Sequence, residues 1–339
     1  MTGTVELTVR HCGPAAVTDL GRPRLARHGI PAGGAADQDA AMLASTLAGN
    51  PAAGALIEVT AGDFACAASR PLLFAVTGAP ATVTVDGVPC PQWEPVCADA
   101  GQTIAITGIR GGLRAYLAVN GVMHGTEVLG SVAPDRLLGI GGGLGRGDVV
   151  RVTSAYTPVG HPYGQPLFRL GARPPSAAPP GPGEPWTLDV LDGPDAAEFP
   201  GAAELFATAV YTLSPRSDQV GLRLDGPAPA RTGSAELLSR GVPLGAVEVP
   251  PAGELLVLHR GRPVTAGYPV VAVLARASCS RIAQVPPGSP VRLRRRSLDA
   301  ALAAHRRQVD HLRAVRRRVA TSFARLAIPL DHGTRATAP

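Results

Sequence analysis

The sequence predicts a mainly β fold with a few helices, arranged as two blocks that each form a barrel or a sandwich. Short runs of β-forming residues alternate with turn residues along most of the chain. Glycine and proline, at 41 and 34 of 339 residues, supply turns in the number that many short strands need. A doubly wound α/β fold would require helices that alternate regularly with strands, and that pattern is missing.

The first block, residues 1–156, is predicted to be β-structure interrupted by one helix. The helix is expected over Gln38–Leu47, with Asp37 as its N-cap and Gly49 after its end. Asp86-Gly87 has the composition of a hairpin turn. The expected strands include Val5–Val9, Leu72–Thr77, Ala81–Val85, Thr103–Thr107 and Ala115–Val119.

Residues 157–185 are predicted to be a stiff linker, since Gly171–Pro185 holds six prolines in fifteen residues. The second block, residues 186–298, again combines short strands with one short helix, expected over Ala196–Phe206. Its expected strands are Thr187–Leu191, Val247–Val249, Leu255–His259, Val270–Ala275 and Val291–Leu293.

The last segment, residues 299–339, is predicted to be an arginine-rich tail with a helix over about Leu298–Leu326. Residues 294–318 contain nine arginines and two acids, whereas the rest of the chain is nearly neutral. Clustered arginines can neutralise phosphates, but the interleaved aromatics of a nucleic-acid binder are missing. A solvated or partner-docking helix is therefore favoured, and we expect a chain that ends after Leu298 to keep both blocks folded.

Composition excludes several kinds of chemistry. The chain has no lysine, so it has no Walker-A lysine, no Schiff-base lysine and no lysine to carry biotin. Its five cysteines are scattered, which favours a reducing cytoplasm, and its histidines and cysteines lack the spacing of a metal site. The sequence contains no run of about 18 apolar residues, so it predicts no membrane span.

Polar residues in turns are the candidate functional groups of the first block. Asp19 and Arg22 stand three residues apart in a turn, and Gly33, Gly34 and Asp37 lead into the predicted helix. Amides at a helix N-terminus can hold an anion, although turn and N-cap chemistry explains the same residues. The glycine cluster over 139–147 does not match G-x-G-x-x-G, and a turn explains it better than a phosphate loop.

The second block contains two further candidate turns. One carries Ser217, Asp218 and Arg223, and the other carries Thr265, Gly267 and Tyr268 directly before a predicted strand. Guanidinium groups suit carboxylates and phosphates, and hydroxyls suit hydrogen bonds to an amide. The alternative is that the Asp19–Arg22 and Asp218–Arg223 pairs only brace their turns.

These segments resemble the biotin-dependent carboxyltransferase-like family, which includes the C subunit of the ATP-dependent 5-oxoprolinase, allophanate hydrolase subunit 2 proteins and KipA. The matches lie in family order over about residues 5–298. The sequence departs from the family pattern in three segments: Ala266 and Val270 flank Gly267-Tyr268-Pro269, Gln219 follows Ser217-Asp218, and Val132–Pro134 follows Leu129-Gly130-Ser131. The resembling segments are Thr18–Arg22, Gly29–Asp37, Ala115–Gly121, Ser217–Gly226, Glu236–Ser239, Gly245–Gly253 and Thr265–Pro269.

The resemblance implies two tandem cyclophilin-like β-barrel domains and a complex with a homologous, KipI-like B subunit, in which the A subunit also takes part. It implies ATP-dependent opening of 5-oxo-L-proline to L-glutamate, with Mg²⁺ accompanying the ATP. Two alternatives stay open. One is a urea- or allophanate-type carboxyltransferase that takes its biotin from a partner, and the other is a KipA-like regulator that binds a partner resembling the B subunit.

On this interpretation the anion clamps are Arg22 and Arg223, oriented by Asp19 and Asp218. Tyr268 completes the expected catalytic set as a hydrogen-bond donor. The expected substrate- or nucleotide-binding residues are Gly33, Gly34, Asp37, Ser217, Thr265 and Gly267.

Overall fold

The computed structural model describes residues 2–159, 168–233, 236–251 and 253–330. The chain forms two compact units. The first contains Met1–Gly21, Gln38–Ala177 and Asp310–Pro339, and the second contains Arg22–Asp37 and Ala178–Val309. Among the described residues, strands cover more of the chain than helices do, which confirms the mainly β class.

In the part of the first unit that the structure describes, twelve strands and one helix form the body. The helix, α1, spans Gln38–Leu47, as predicted. The strands are β1 (Gly3–Cys12), β2 (Ala15–Thr18), β3 (Leu56–Thr60), β4 (Phe64–Ala68), β5 (Leu72–Gly78), β6 (Thr82–Val85), β7 (Val88–Cys90), β8 (Pro95–Ala98), β9 (Thr103–Thr107), β10 (Arg114–Val119), β11 (Val122–Met123) and β12 (Val149–Ser154).

These strands form two sheets around one apolar core. The seven-stranded sheet has the order β11-β12-β1-β4-β9-β6-β7, and the five-stranded sheet has the order β2-β3-β10-β5-β8. In β1 the alternate residues Val5, Leu7 and Val9 are buried in that core, as a strand with one buried face requires. The Asp86-Gly87 turn joins β6 to β7 with both residues at positive φ, which confirms the predicted hairpin.

The second unit contains a closed barrel. Its strands follow the order β13-β20-β17-β18-β15-β14-β21, and β21 closes the barrel by parallel pairing with β13. The α-helices and strands that follow residue 185 in the chain are β13 (Trp186–Asp192), α2 (Ala202–Thr208), β14 (Tyr211–Leu213), β15 (Gly221–Asp225), β16 (Arg240–Gly241), β17 (Ala246–Glu248), β18 (Leu255–Leu258), β19 (Thr265–Ala266), β20 (Val270–Leu274), α3 (Arg276–Ile282), β21 (Pro290–Arg295) and α4 (Leu298–Arg325). Among the described strands, β16 and β19 pair only with each other.

The helix predicted over Ala196–Phe206 is divided in two. A 3₁₀ turn covers Ala196–Glu198, and α2 begins at Ala202. Pro200 explains the break, because proline disfavours a helical conformation in the residue before it, and Phe199 has φ −127° and ψ 66°.

The division into units differs from the predicted boundaries at residues 156, 185 and 298. Arg22–Asp37 belongs to the second unit, where Gly33 and Arg260 are joined by two hydrogen bonds. The Gly33 amide donates to the Arg260 carbonyl (3.1 Å), and Arg260 Nε donates to the Gly33 carbonyl (3.0 Å). Contacts between residues more than 200 positions apart therefore place Arg22–Asp37 in the second unit.

The basic helix α4 has nearly the predicted bounds, but the expectation that the tail is dispensable is wrong. Val315, Val319 and Phe323 are buried, with Phe323 fully enclosed. The ring centroids of Phe323 and Phe168 lie 5.8 Å apart, and a Cβ added at Gly49 would come within 2.7 Å of the Phe323 ring. The second half of α4 thus packs as part of the first unit.

Phe323→Ala should lower the free energy of unfolding by about 3–5 kcal/mol, because the substitution leaves a cavity in a packed interior. Urea unfolding monitored by circular dichroism measures the change. Arg316→Ala, on the exposed side of the same helix, should be close to the wild type and is the control. Equal stability of both variants would show that α4 does not contribute to this packing.

Candidate functional site

An open cleft of about 1240 Å³ lies on the outer face of the barrel in the second unit. Strands β15, β17 and β18 contribute its floor, and the segment around β19 contributes one wall. The polar groups in its lining include Arg216, Arg223, Arg231, Glu248, Thr265 and Tyr268.

Strand alternation decides which side chains reach this cleft. Leu222 and Leu224 of β15 point into the barrel core, so Arg223 between them points outward. The same alternation sends Val247 into the core and Glu248 into the cleft.

The register then aligns Arg223, Leu256 and Glu248 in one row across three adjacent strands. Arg223 pairs with Leu256, and Leu256 pairs with Glu248. Two strand spacings separate the backbones of Arg223 and Glu248, a distance of about 10 Å. A guanidinium and a carboxyl group therefore flank one leucine on the cleft floor.

Glu254 links two arginines at one end of the cleft. Arg223 Nη1 donates to Glu254 Oε1, and Arg216 Nη2 donates to Glu254 Oε2 at 3.1 Å. Arg216 also lies 3.5 Å from Asp225. Glu254 holds Arg223 in place, and 35% of the Arg223 side chain is still exposed to solvent.

Glu248 is the most unusual residue of the cleft. The residue is only 1% exposed, and its Oε1 has no hydrogen-bond partner among the residues that the structure describes. Burial raises the pKa of the Glu248 carboxyl to about 7, and the positive charge of Arg240 opposes this shift. At neutral pH such a group exists in both protonation states.

Five of the six predicted residues of the second block are brought together at this cleft. Asp218, Arg223, Thr265, Gly267 and Tyr268 all line it. The expected Asp218–Arg223 pair does not form, since Arg223 binds Glu254.

Asp218 and Ser217 instead stabilise the turn before β15. Asp218 Oδ1 accepts hydrogen bonds from the Val220 and Gly221 amides at 2.8 and 3.2 Å. Ser217 Oγ accepts a hydrogen bond from the Arg223 amide at 3.0 Å. These two residues thus position Arg223 through the backbone.

Asp19, predicted to orient an arginine, is buried and bonded within the first unit. Its Oδ1 accepts hydrogen bonds from Ser131 Oγ (2.5 Å) and the Gly21 amide (2.8 Å), and its Oδ2 accepts one from the Val132 amide (3.1 Å). These bonds stabilise the turn that contains Asp19 and join it to the segment around Ser131.

The other first-block candidates do not line the cleft. Arg22 is 1% exposed, and Asp37 accepts a hydrogen bond from Gln284 Nε2 at 2.8 Å. Gly33 and Gly34 have positive φ, at 59° and 86°, and the Gly33 amide is bonded to Arg260. The contacts of Gly33 and Asp37 indicate that these residues hold the segment Arg22–Asp37 in place. That the first-block candidates bind an anion stays a prediction.

Sequence reasoning misses Glu248. The segment around it carries the family resemblance, yet this residue is not among the candidates that the sequence supplies. Its signal is a lone acid in the run Ala246–Val249, which is otherwise apolar, at a position where a strand is predicted.

Among the described residues no group of three or more histidine, cysteine, aspartate or glutamate side chains could hold a metal ion. In the same residues no helix is long and apolar enough to span a membrane. All five cysteines are free thiols.

Glu248 should make stability depend on pH in a defined direction. Because folding raises its pKa from 4.5 to about 7, the unfolded state ionises first as pH rises, and the folded state loses relative stability. The free energy of unfolding of the wild type minus that of Glu248→Gln should fall by about 3 kcal/mol between pH 4.5 and 7. Outside that range this difference should not change with pH.

Urea unfolding at a series of pH values tests this expectation. The exposed Glu204 in α2 offers a matched control, since Glu204→Gln should follow the wild type at every pH. A constant difference between the wild type and Glu248→Gln from pH 4 to 8 would contradict the raised pKa.

Two proteins of known name resemble this chain over most of its length. The C subunit of the 5-oxoprolinase of Escherichia coli K12 is 32% identical over 297 residues, which cover 86% of this chain and 91% of that protein. A putative urea carboxylase of Emericella nidulans is 28% identical over 303 residues, which cover 84% of this chain but only 23% of the larger protein.

Solved structures share the fold. The crystal structure of TTHA0988 matches with a TM-score of 0.71 and 30% identity over 85% of this chain, and this chain spans about half of it, 55%. The Kluyveromyces lactis urea amidolyase matches with a TM-score of 0.80 and 22% identity over 92% of this chain, which corresponds to 20% of that protein.

A family model also matches the chain over residues 28–295, through both units. The model describes a carboxyltransferase domain with subdomains A and B. The matched region includes every residue that lines the cleft. The chain therefore belongs to the family of carboxyltransferase domains that contain subdomains A and B.

Proposed function

We propose that this chain is the C subunit of an ATP-dependent 5-oxoprolinase that opens 5-oxo-L-proline to L-glutamate. The observation that carries this proposal is the similarity to the protein of that name in Escherichia coli over 86% of this chain and 91% of that protein. Similarity along nearly the whole of both chains supports the same role, whereas the urea-processing relative matches over a small part of its length.

The cleft of the second unit is the proposed substrate site. Its arginines suit the carboxylate of 5-oxoproline, because a guanidinium can donate two parallel hydrogen bonds to a carboxylate. Arg223 is the best placed of them, since Glu254 orients it and its side chain keeps an exposed edge. Tyr268 is 43% exposed at the wall, where its hydroxyl can donate to the lactam oxygen.

The proposal includes ATP, with Mg²⁺ as its counter-ion. Bound ATP supplies the phosphoryl group that activates the amide oxygen. Arg216, Arg223 and Arg231 all line the cleft, and phosphate oxygens fit such donors as well as a carboxylate does. We further propose that the chain acts in the cytoplasm, in a complex with the A subunit of the enzyme and a homologous B subunit.

A second candidate function is carboxyl transfer in a urea-type, biotin-dependent carboxylase. The family match and the similarity to the putative urea carboxylase of Emericella nidulans favour it. Because the chain has no lysine, the biotin would have to be carried by a partner. Dependence of turnover on a biotin-carrying partner, bicarbonate and a urea-like amide, rather than on 5-oxoproline, would support this alternative.

Arg223→Ala should reduce 5-oxoproline-dependent phosphate release by the reconstituted complex by roughly ten- to a hundredfold. The lost contact is a charge-assisted hydrogen bond worth about 1.5–3 kcal/mol. The melting temperature of each variant is measured in parallel.

Arg292→Ala is the control for this experiment, because Arg292 is an exposed arginine on β21 of the same barrel. It should retain full activity. If the Arg223→Ala activity falls only in proportion to its loss of stability, Arg223 braces the turn through Glu254 and does not bind substrate.

Co-expression with the homologous B subunit should give one complex that elutes as a single peak in size-exclusion chromatography. The expected reason is burial of apolar surface, of which Leu238 is an example, being 89% exposed between two cleft-lining residues. Each protein on its own provides the reference elution volume. Separate elution at micromolar concentration would contradict the proposed assembly.

A further inference from the structure

We propose that Glu248 is a catalytic residue of the cleft, which accepts the proton of the attacking water and returns it to the leaving nitrogen of the lactam. The inference rests on the proposed function. It depends on three observations: the burial of Glu248, its place on the cleft floor, and the lack of a hydrogen-bond donor to Oε1 in the described residues.

Other buried carboxylates in this protein show what a structural role looks like. Asp195 Oδ2 accepts a hydrogen bond from the Val270 amide at 2.7 Å and is paired with Arg240. Asp19 accepts three hydrogen bonds. Both carboxylates therefore have the donors that buried polar groups in native proteins normally have.

Glu248 differs from both, although it is equally buried. Its strand neighbours across the sheet are Leu256 on β18 and Val270 on β20, which bring no charge or donor side chain. Leaving a buried polar atom without a partner destabilises the folded chain. Asp135 Oδ2 also has no partner in the described residues, but Asp135 does not line the cleft, and it is the two observations together that distinguish Glu248. Glu248 is among the residues that line the cleft, from which a substrate or water would supply the missing partner.

The charged groups around Glu248 suit proton transfer. Arg240 is the cation that acts on its pKa, and the charge of Arg240 is shared with Asp195. Arg223 lies beyond Leu256 in the same row, and Tyr268 lies on the wall. A pKa of about 7 lets the carboxyl both accept and donate a proton near neutral pH, as general acid–base catalysis requires.

The step balances with the phosphoryl group that the proposed reaction with ATP places on the lactam oxygen. The oxygen of water bonds to the ring carbon that carries this phosphorylated oxygen, while one water proton passes to the ionised Glu248. When the carbon–nitrogen bond breaks, its electron pair stays on nitrogen, the protonated Glu248 returns the proton to that nitrogen, and the remaining hydroxyl proton moves to the amine as the carbonyl forms. Glu248 is then ionised again, the ring has become an open-chain ammonium group and an acyl phosphate, and a second water splits the acyl phosphate into a carboxylate and inorganic phosphate.

Glu248→Gln tests this role in the full reconstituted complex. It keeps the size of the side chain but cannot exchange a proton, so we expect L-glutamate formation to fall by about 10²- to 10⁴-fold in kcat. The KM for 5-oxoproline should change much less. The wild-type rate should rise with pH up to about 7, and this limb should be absent from the residual activity of Glu248→Gln.

A second variant separates catalysis from structure. Glu248→Asp keeps a carboxyl group, so it should retain the pH-dependent limb and a larger part of the rate than Glu248→Gln. Glu204→Gln, remote from the cleft on α2, should match the wild type. Melting temperatures show whether each variant is folded.

The outcomes distinguish this inference from the proposed function. Full activity or an unchanged pH limb in folded Glu248→Gln overturns the role of Glu248, while the wild-type turnover of 5-oxoproline still supports the proposed function. A loss confined to KM would also overturn it, since Glu248 would then only bind substrate. A wild-type complex that does not turn over 5-oxoproline overturns the proposed function, and the inference with it.

Discussion

Closure of the barrel in the second unit is the constraint on which the candidate site depends. In a strand, successive side chains point to opposite faces, so the residues that fill the barrel also determine which residues face outward. Leu222, Leu224 and Val257 fill the interior. Arg223, Glu248 and Leu256 are thereby directed to the cleft, and a shift of one residue in register would bury the guanidinium and expose the leucines.

The register adds a second constraint, because it sets the separation between the two charged groups. Arg223 and Glu248 are separated by a single leucine across the sheet. Their different surroundings give them different properties: Glu254 holds Arg223 in a partly exposed position, and burial without a described donor to Oε1 raises the pKa of Glu248. Proteins accept such a loss of stability where activity needs it.

Local patterns explain most of the correct predictions. The strands, the helix over Gln38–Leu47 and the basic helix α4 all follow from periodicity and turn residues within short windows. The errors involve distant partners. The sequence predicts a dispensable tail, but Phe323 packs against Phe168 and beside Gly49, which are far away in the sequence. It offers Asp218 as the structural partner of Arg223, but Glu254, 31 positions away, binds it.

The sequence by itself determined the β class, the family resemblance and the candidate turn residues around Ser217 and Tyr268, because composition, periodicity and motif order are local properties. Only the tertiary structure decided that Glu248 lies in a cleft, that Gly33 is bonded to Arg260, and that α4 is partly core. The physical reason is that burial and partner choice depend on which distant segments meet. An acid in an apolar strand has an ordinary pKa in the unfolded chain, and only the surrounding barrel raises it.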